Sequence, residues 1–255
     1  MKESLTKLTP ILVLVVLFAV WEIACSVFKV DSFVLPKPTE IWHALIEYRG
    51  PIMAHSWQTL WTTTSGFAIA IAVGVLLGCL AGSSAAMHRA FYPLLVGFNA
   101  IPKAAFVPIL VVWFGTGTKP AIITAFLLSF FPIAANVATG LATVEPELED
   151  VLRALGASHL EILKKVGLPR SMPLFFASLK IAVTMAFVGT VIAEMNASDK
   201  GIGYLMVSAA SSMKTDLMFA GLIMISAMAM VMYQIFAWIE MRVTAWAHRG
   251  QQANA

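Results

Sequence analysis

Six apolar stretches, each about as long as a helix must be to cross a bilayer, constrain this sequence more than any other feature. They run over residues 8–28, 60–82, 91–114, 121–144, 173–193 and 217–238. A hydrocarbon core about 30 Å thick takes roughly 20 helical residues, and only helices or closed barrels satisfy their backbone polar groups there. None of the six shows the apolar–polar alternation of a barrel strand. The expected fold class is therefore all-α: a polytopic membrane protein with six transmembrane helices. Composition agrees, with 12% charged residues where a soluble domain carries about 25%. Disorder and an ordinary soluble globule are excluded, and a net charge of +3 is too small to imply a nucleic-acid partner.

Lys2 and Lys7 ahead of the first stretch imitate a signal peptide. Trp21 and Glu22 stand where small cleavage-site residues would be needed, so the stretch reads as a retained helix. Six spans place both termini on one side. With the termini in the cytoplasm, nine Lys and Arg lie inside and six outside, the bias of the positive-inside rule. Cys25 and Cys79 fall in apolar runs and read as small buried residues, not as a disulfide or thiolate site. No internal repeat or low-complexity tract appears. The chain reads as one domain over 1–255: an N-terminal span in 1–33, an interfacial segment 34–56, core spans 57–246 and a cytoplasmic tail 247–255.

Two connections carry information. In 34–56, Pro38-Thr39 looks like a helix start, and Ile41, Trp42, Leu45 and Ile46 recur at helical spacing. That pattern predicts a short amphipathic helix in the membrane interface. The second connection, 145–172, is the longest charged one. Its proline and carboxylates make a good helix start, and Gly156-Ala157-Ser158 should interrupt that helix. Two short helices are expected, closed by Leu168-Pro169 before the fifth span begins near Pro173. Such an apolar knob flanked by charges either docks into a groove on a soluble partner or merely connects two spans.

These residues carry a resemblance. Gly156, then nine residues, Val166, one residue and Leu168-Pro169 reproduces the spacing of the signature loop in permease subunits of bacterial ATP-binding-cassette importers. The usual Glu-Ala-Ala opening is replaced by Asp150-Val151-Leu152. Leu35-Pro36-Lys37-Pro38, Trp113-Phe114-Gly115-Thr116-Gly117, and Ala193-Glu194 followed by Gly201-Ile202-Gly203-Tyr204 resemble the nitrate, sulfonate and taurine branch. The resemblance covers roughly residues 35–246. It implies a bacterial inner-membrane permease working as two copies, with two cytoplasmic ATPase subunits that bind ATP and Mg, and a periplasmic or lipid-anchored solute-binding protein. It further implies a coupling surface made of Asp150, Arg153, Leu155, Gly156, Ala157, Glu161, Leu168 and Pro169. No Gly-x-x-x-x-Gly-Lys-Ser/Thr loop is present, so ATP binding and hydrolysis are expected on another chain.

Polar residues within spans are the other candidates, because a charge at the bilayer centre costs at least about 2.5–3.5 kcal/mol. Lys103 follows Asn99 and Pro102 in a span that also holds Pro93 and Pro108, which predicts a broken helix facing protein or a cavity. Lys103 either lines the route of an anionic solute or snorkels or pairs structurally. Glu194, at the end of the fifth span, lies near a gate or at headgroup level. With Asn99 and Asn136 these form the candidate pathway. Gly201 and Gly203 are expected at positive backbone angles. Met224, Met228, Met230 and Met232 recur in the last span without His or Cys, and read as packing residues, not metal ligands.

Two other classes compete. A membrane-embedded enzyme needs a nucleophile and base at depth, yet His43, His55, His88, His159 and His248 fall in loops, interfacial stretches or tails. Ser178 and Lys180 are two apart and do not face each other on a helix. An ion-coupled secondary transporter would show inverted repeats or intramembrane carboxylates, and the Gly156 loop would go unexplained.

Overall fold

The computed structural model describes residues 2–143 and 151–244. Every regular element among these is helical. In order they are α1 (Lys2–Val27), α2 (Pro38–Glu47), α3 (Arg49–Gly82), α4 (Ala85–Ala100), a 3₁₀ turn (Lys103–Phe106), α5 (Val107–Phe114) and α6 (Thr118–Ala142). Then come α7 (His159–Ile162), a π turn (Leu163–Gly167), α8 (Leu168–Ala197), α9 (Ile202–Ser211) and α10 (Thr215–Val243). By length and composition α3, α6, the run Leu163–Ala197 and α10 can each cross a membrane. The bent pair of α4 with the turn and α5 makes a fifth, and the apolar stretch Leu12–Val27 of α1 is shorter.

Three long helices hold the core. A Cβ built at Gly66, Gly74, Gly78 or Gly82 would lie 2.6–2.9 Å from the Cβ of Ala125, Ile133, Val137 or Leu141, respectively. The partners are 59 residues apart at every rung, so α3 and α6 run parallel in one continuous register. Without a hydrophobic drive between helices in lipid, close backbone approach along such a small-residue stripe supplies the packing. The α8 helix runs antiparallel to both: Gly140 abuts Ser171 near one end, and Thr63 donates to Thr190 at 2.8 Å toward the other. A second cluster joins α2, the start of α3, α9 and the start of α10 through Ile41, Ile52, Ile202 and Leu217.

The expected break in the third span is present. Pro102 forces the preceding Ile101 into an extended conformation (φ −70°, ψ 132°), since the α region clashes with a following proline. The two segments meet at 72°, and Pro108 sits in the first turn of α5.

Three expectations are corrected. The short helix expected from Pro38 is present as α2 (Pro38–Glu47), but the segment drawn to residue 56 runs into α3, which begins at Arg49, ten residues or so before the predicted span. The apolar stripe of α2 also divides: Ile41 and Ala44 are buried, while Trp42 and Ile46 are exposed. Second, Leu168-Pro169 does not close the loop. The Leu168 N–H reaches back to Leu163 O in a wide π turn, and Pro169 lies in the first turn of α8, where its fixed φ suits the helix. The helix therefore starts before Pro173, which sits inside it. Third, His88 lies within α4 and not in a loop, and His55, placed in the interfacial stretch, lies within α3.

Both cysteines are free; Cys25 is buried and Cys79 half-buried. Glu22, near the end of α1, accepts from the Thr39 N–H at 3.1 Å and the Thr39 hydroxyl at 2.9 Å, which fastens α1 to the start of α2.

Candidate functional site

The loop residues and Glu194 fall at two ends of the bundle, separated by α8, whose 30 residues span about 45 Å. At the loop end, residues 151–154 form a helical turn. Gly156 ends it with φ +84°. The Gly156 N–H donates to Arg153 O at 2.9 Å and the Ala157 N–H to Leu152 O at 3.0 Å. That bond pair is a Schellman closure, which needs a left-handed residue at the position Gly156 holds. Among the described residues no atom lies within 4 Å of a Cβ built there, so the demand for glycine is conformational. Asp150 lies outside the described residues.

Ser158 then starts α7. Its N–H and hydroxyl donate to the Glu161 carboxylate at 2.9 and 2.8 Å, and the Glu161 N–H donates back to Ser158 Oγ at 3.3 Å. This is a capping box. The Ser158 hydrogen bonds, helped by Lys165 at 3.9 Å, hold the exposed Glu161 carboxyl below the usual carboxylate range. Val151 and Leu155 are 57% and 78% exposed, and Arg153 shares that exposed turn. Leu168 is half-buried against the helix core, while Pro169 is exposed.

At the opposite end, Glu194 is 2% exposed. Its carboxylate accepts from the Thr59 hydroxyl at 2.9 and 3.0 Å and from the Gly203 N–H at 3.0 Å. Thr59 Oγ in turn accepts from the Ile202 N–H at 2.8 Å. The Gly201 N–H donates to His55 Nδ1 at 3.0 Å, which assigns the imidazole proton to Nε2. Glu194 thus sits beneath the N-terminus of α9, where orphan N–H groups and the helix dipole favour an anion. Gly201 has φ +101°, as expected, and a Cβ there would overlap the Glu194 carboxylate. Gly203 is helical; its Cβ would lie 2.7 Å from Val191 O, so space, not backbone angle, requires glycine.

The elbow of the bent span holds Lys103, 9% exposed. Its Nζ donates to Asn99 O at 2.9 Å and Asn99 Oδ1 at 2.7 Å, a cation at the C-terminal carbonyls of α4. Asn136 donates within α6 to Pro132 O at 2.8 Å. Asn99 and Lys103 are therefore brought together, while Asn136 and Glu194 are each engaged elsewhere.

The family described as the inner membrane component of binding-protein-dependent transport systems matches residues 70–245. The chain belongs to this permease family. Among its relatives is the formylaminopyrimidine transport permease protein ThiX of Halalkalibacterium halodurans, 32% identical over 80% of this chain and 82% of the relative. Another is the taurine transport system permease protein TauC of Escherichia coli, 27% identical over 91% and 87%. An inward-facing structure of the MetNI methionine ABC transporter shares the fold, at a TM-score of 0.65 and 18% identity, covering 76% of this chain and 96% of that one. The protein is an ABC importer permease of the branch that its sequence resembles.

Four parts of the permease escaped the sequence reading. Thr59 and His55 complete the Glu194 network; the threonine cluster Thr62-Thr63-Thr64 beside Thr59, unusual in an apolar span, was the available signal. The Gly74, Gly78, Gly82 repeat at four-residue spacing marked the α3–α6 seam. Glu240 is the ion-pair partner of Lys180 at 2.6 Å; its position four to five turns along from Met224 gave no hint of that pairing. Ser178 donates to Phe175 O in its own helix, so neither Ser178 nor Lys180 is arranged as a nucleophile or base.

Proposed function

We propose that two copies of this permease form the pathway through which an importer of the bacterial inner membrane passes a small anion, such as a sulfonate, nitrate or related oxyanion. ATP and Mg bind two separate cytoplasmic ATPase subunits, and a periplasmic or lipid-anchored binding protein delivers the solute. Both termini and the loop 145–172 face the cytoplasm in this reading.

The observation that carries it is the Gly156 loop. Its Schellman closure and capping box hold a fixed helix–turn–helix outside the bundle, with Val151 and Leu155 exposed. Beyond α7 the chain passes through a π turn into α8 without a hinge of loop residues. A push on the loop would therefore reach the whole length of a spanning helix. Asp150, Arg153, Leu155, Gly156, Ala157 and Glu161 would form or shape the contact with the ATPase, and Leu168 and Pro169 would join it to the bundle.

The anion reading is supported by Lys103. The buried ammonium has amide oxygens as its acceptors and no carboxylate neutralises it among the described residues, so the elbow carries a net positive charge. Asn99, Asn136 and Glu194 remain pathway candidates beside it. The ThiX relative, named for a formylaminopyrimidine, supports a second reading, a neutral heterocycle.

The test is co-expression of the permease with a candidate ATPase and binding protein from the same genome, followed by ATPase assays in proteoliposomes with a panel of oxyanions, sulfonates and pyrimidines. ATPase stimulation by one anion, dependent on an intact Gly156, is the expected result. Stimulation by a neutral pyrimidine alone transfers the assignment to the second reading, and an ATPase that never copurifies refutes the coupling role.

A further inference from the structure

We infer that the Lys180–Glu240 ion pair is a transmission element of transport, the clasp that makes the far half of α10 move with α8. The inference rests on the reading of the Gly156 loop as the point where the ATPase drives the permease.

The two side chains lie 60 residues apart in sequence and meet at 2.6 Å, 21% and 14% exposed. Both belong to helices that are long and apolar enough to span a membrane. Charges there are tolerated when they are paired or face protein.

The case for transmission comes from how α10 is held. Its buried residues are Thr215, Leu217, Ala220 and Gly221, all within the first two turns. From Leu222 to Val243 no residue of the helix is fully buried. That half touches the core through partly buried apolar groups such as Met228, Met232 and Ile239, and through Phe236, which meets Phe67 edge-on at 5.3 Å. Apolar contacts are non-directional, and a helix resting on them can slide or rotate at little cost. An ion pair in a low-dielectric setting resists separation and fixes one geometry. Lys180 stands 12 residues along α8 from Leu168, past Pro173, with no loop between them, so motion entering at the loop reaches it along a continuous helix. The pair is then the one charged, directional link from the driven helix to the distal half of α10 among the described residues.

Three variants separate transmission from mere stability. Lys180→Met alone strands Glu240 and is expected to lower expression. Lys180→Met with Glu240→Met removes both charges, so the permease still inserts and still binds its ATPase. The solute carried per ATP hydrolysed should then fall about tenfold, in the range of coupling between linked sites. Lys180→Glu with Glu240→Lys restores the pair in reverse, and should recover most of the lost coupling.

A second readout reports the motion itself. Spin labels at the exposed Ile181 and Met241 should keep their separation when a nucleotide analogue binds the intact complex, and change it in the double-methionine variant. A double-methionine variant that couples as well as the native complex overturns the clasp, as does a label distance that changes in the native complex. A native permease that captures no ATPase overturns the loop reading instead, and the transmission role falls with it.

Discussion

The Thr59 hydroxyl and the Glu194 carboxylate, 135 residues apart in sequence, meet at 2.9–3.0 Å beneath the start of α9. The contact ties three helices at one point, because Thr59 also accepts from the Ile202 N–H and Glu194 from the Gly203 N–H. A carboxylate this deeply buried needs hydrogen-bond donors, and here a helix N-terminus and a hydroxyl supply them.

Thr59→Val keeps the shape and deletes the hydroxyl. One donor to Glu194 and the acceptor of Ile202 are lost together, at about 2–3 kcal/mol for buried groups left unpaired. Thr59→Ser should retain most of that stability. Thermal unfolding of the detergent-solubilised permease compares the two, and equal melting temperatures for Val and Ser would show the network to be idle.

The α3–α6 seam makes a paired prediction from two glycines. A Cβ at Gly78 would lie 2.6 Å from Val137 Cβ, whereas one at Gly97 would meet nothing within 4 Å. Gly78→Val should destabilise the permease by about 1–3 kcal/mol or more through overpacking. Gly97→Ala should stabilise it by about 0.5–1 kcal/mol, the helix preference for alanine over glycine. The same thermal assay decides, and a tolerated Gly78→Val breaks the register argued from the four rungs.

Gly156→Val places a β-branched residue at φ +84°, a conformation that costs L-residues roughly 1–2 kcal/mol. The loop lies outside the bundle core, so membrane insertion should persist while ATP-dependent uptake is abolished. Gly156→Asn, which tolerates the left-handed region, should keep part of it. Undiminished uptake by the valine variant removes the coupling assignment.

Lys103→Met removes the positive charge at the elbow and leaves Asn99 O without its donor. Transport of an anion should fall much more than transport of a neutral solute by the same complex. Equal losses for both would leave Lys103 as the cap of α4 and nothing more.

The capping box has a pH dependence whose sign follows from Glu161. Its carboxyl is held below the usual carboxylate range, first by the Ser158 backbone and hydroxyl and then by Lys165. A depressed native pKa means the box is at full strength above the ordinary value for glutamate and is lost as the pH falls through the lowered one. Amide exchange at residues 158–162, corrected for its intrinsic pH dependence, should show less protection only in that acidic window. Glu161→Gln should abolish the dependence, and a change that survives in the glutamine variant belongs to another group.

Much of the site at the loop end was legible because its signals are local. Gly156 as a helix stop and Ser158 as a start depend on a few consecutive residues, and the bend at Pro102 follows from the chemistry of a single ring. The path through Leu168-Pro169 was misread because a proline after a leucine fits both a helix end and a first helical turn. The π turn that decides between them shows only in the Leu168 N–H to Leu163 O bond of the folded chain. Glu194 was noticed as a charge in an apolar run, yet its partners, Thr59 on α3 and Gly203 on α9, come from two elements that composition does not place beside α8.

The sequence by itself determined that this chain is a bundle of membrane helices, because apolar runs of spanning length admit no other solution to backbone hydrogen bonding. It determined the loop's turn and the break in the third span as well. Only the tertiary structure decided which small residues form the α3–α6 seam, which hydroxyl meets Glu194 and which carboxylate answers Lys180. In a helix every side chain is locally equivalent until a neighbour is set against it, and in lipid the choice of neighbour rests on close packing and polar pairing across helices. Those terms exist only once the helices have met.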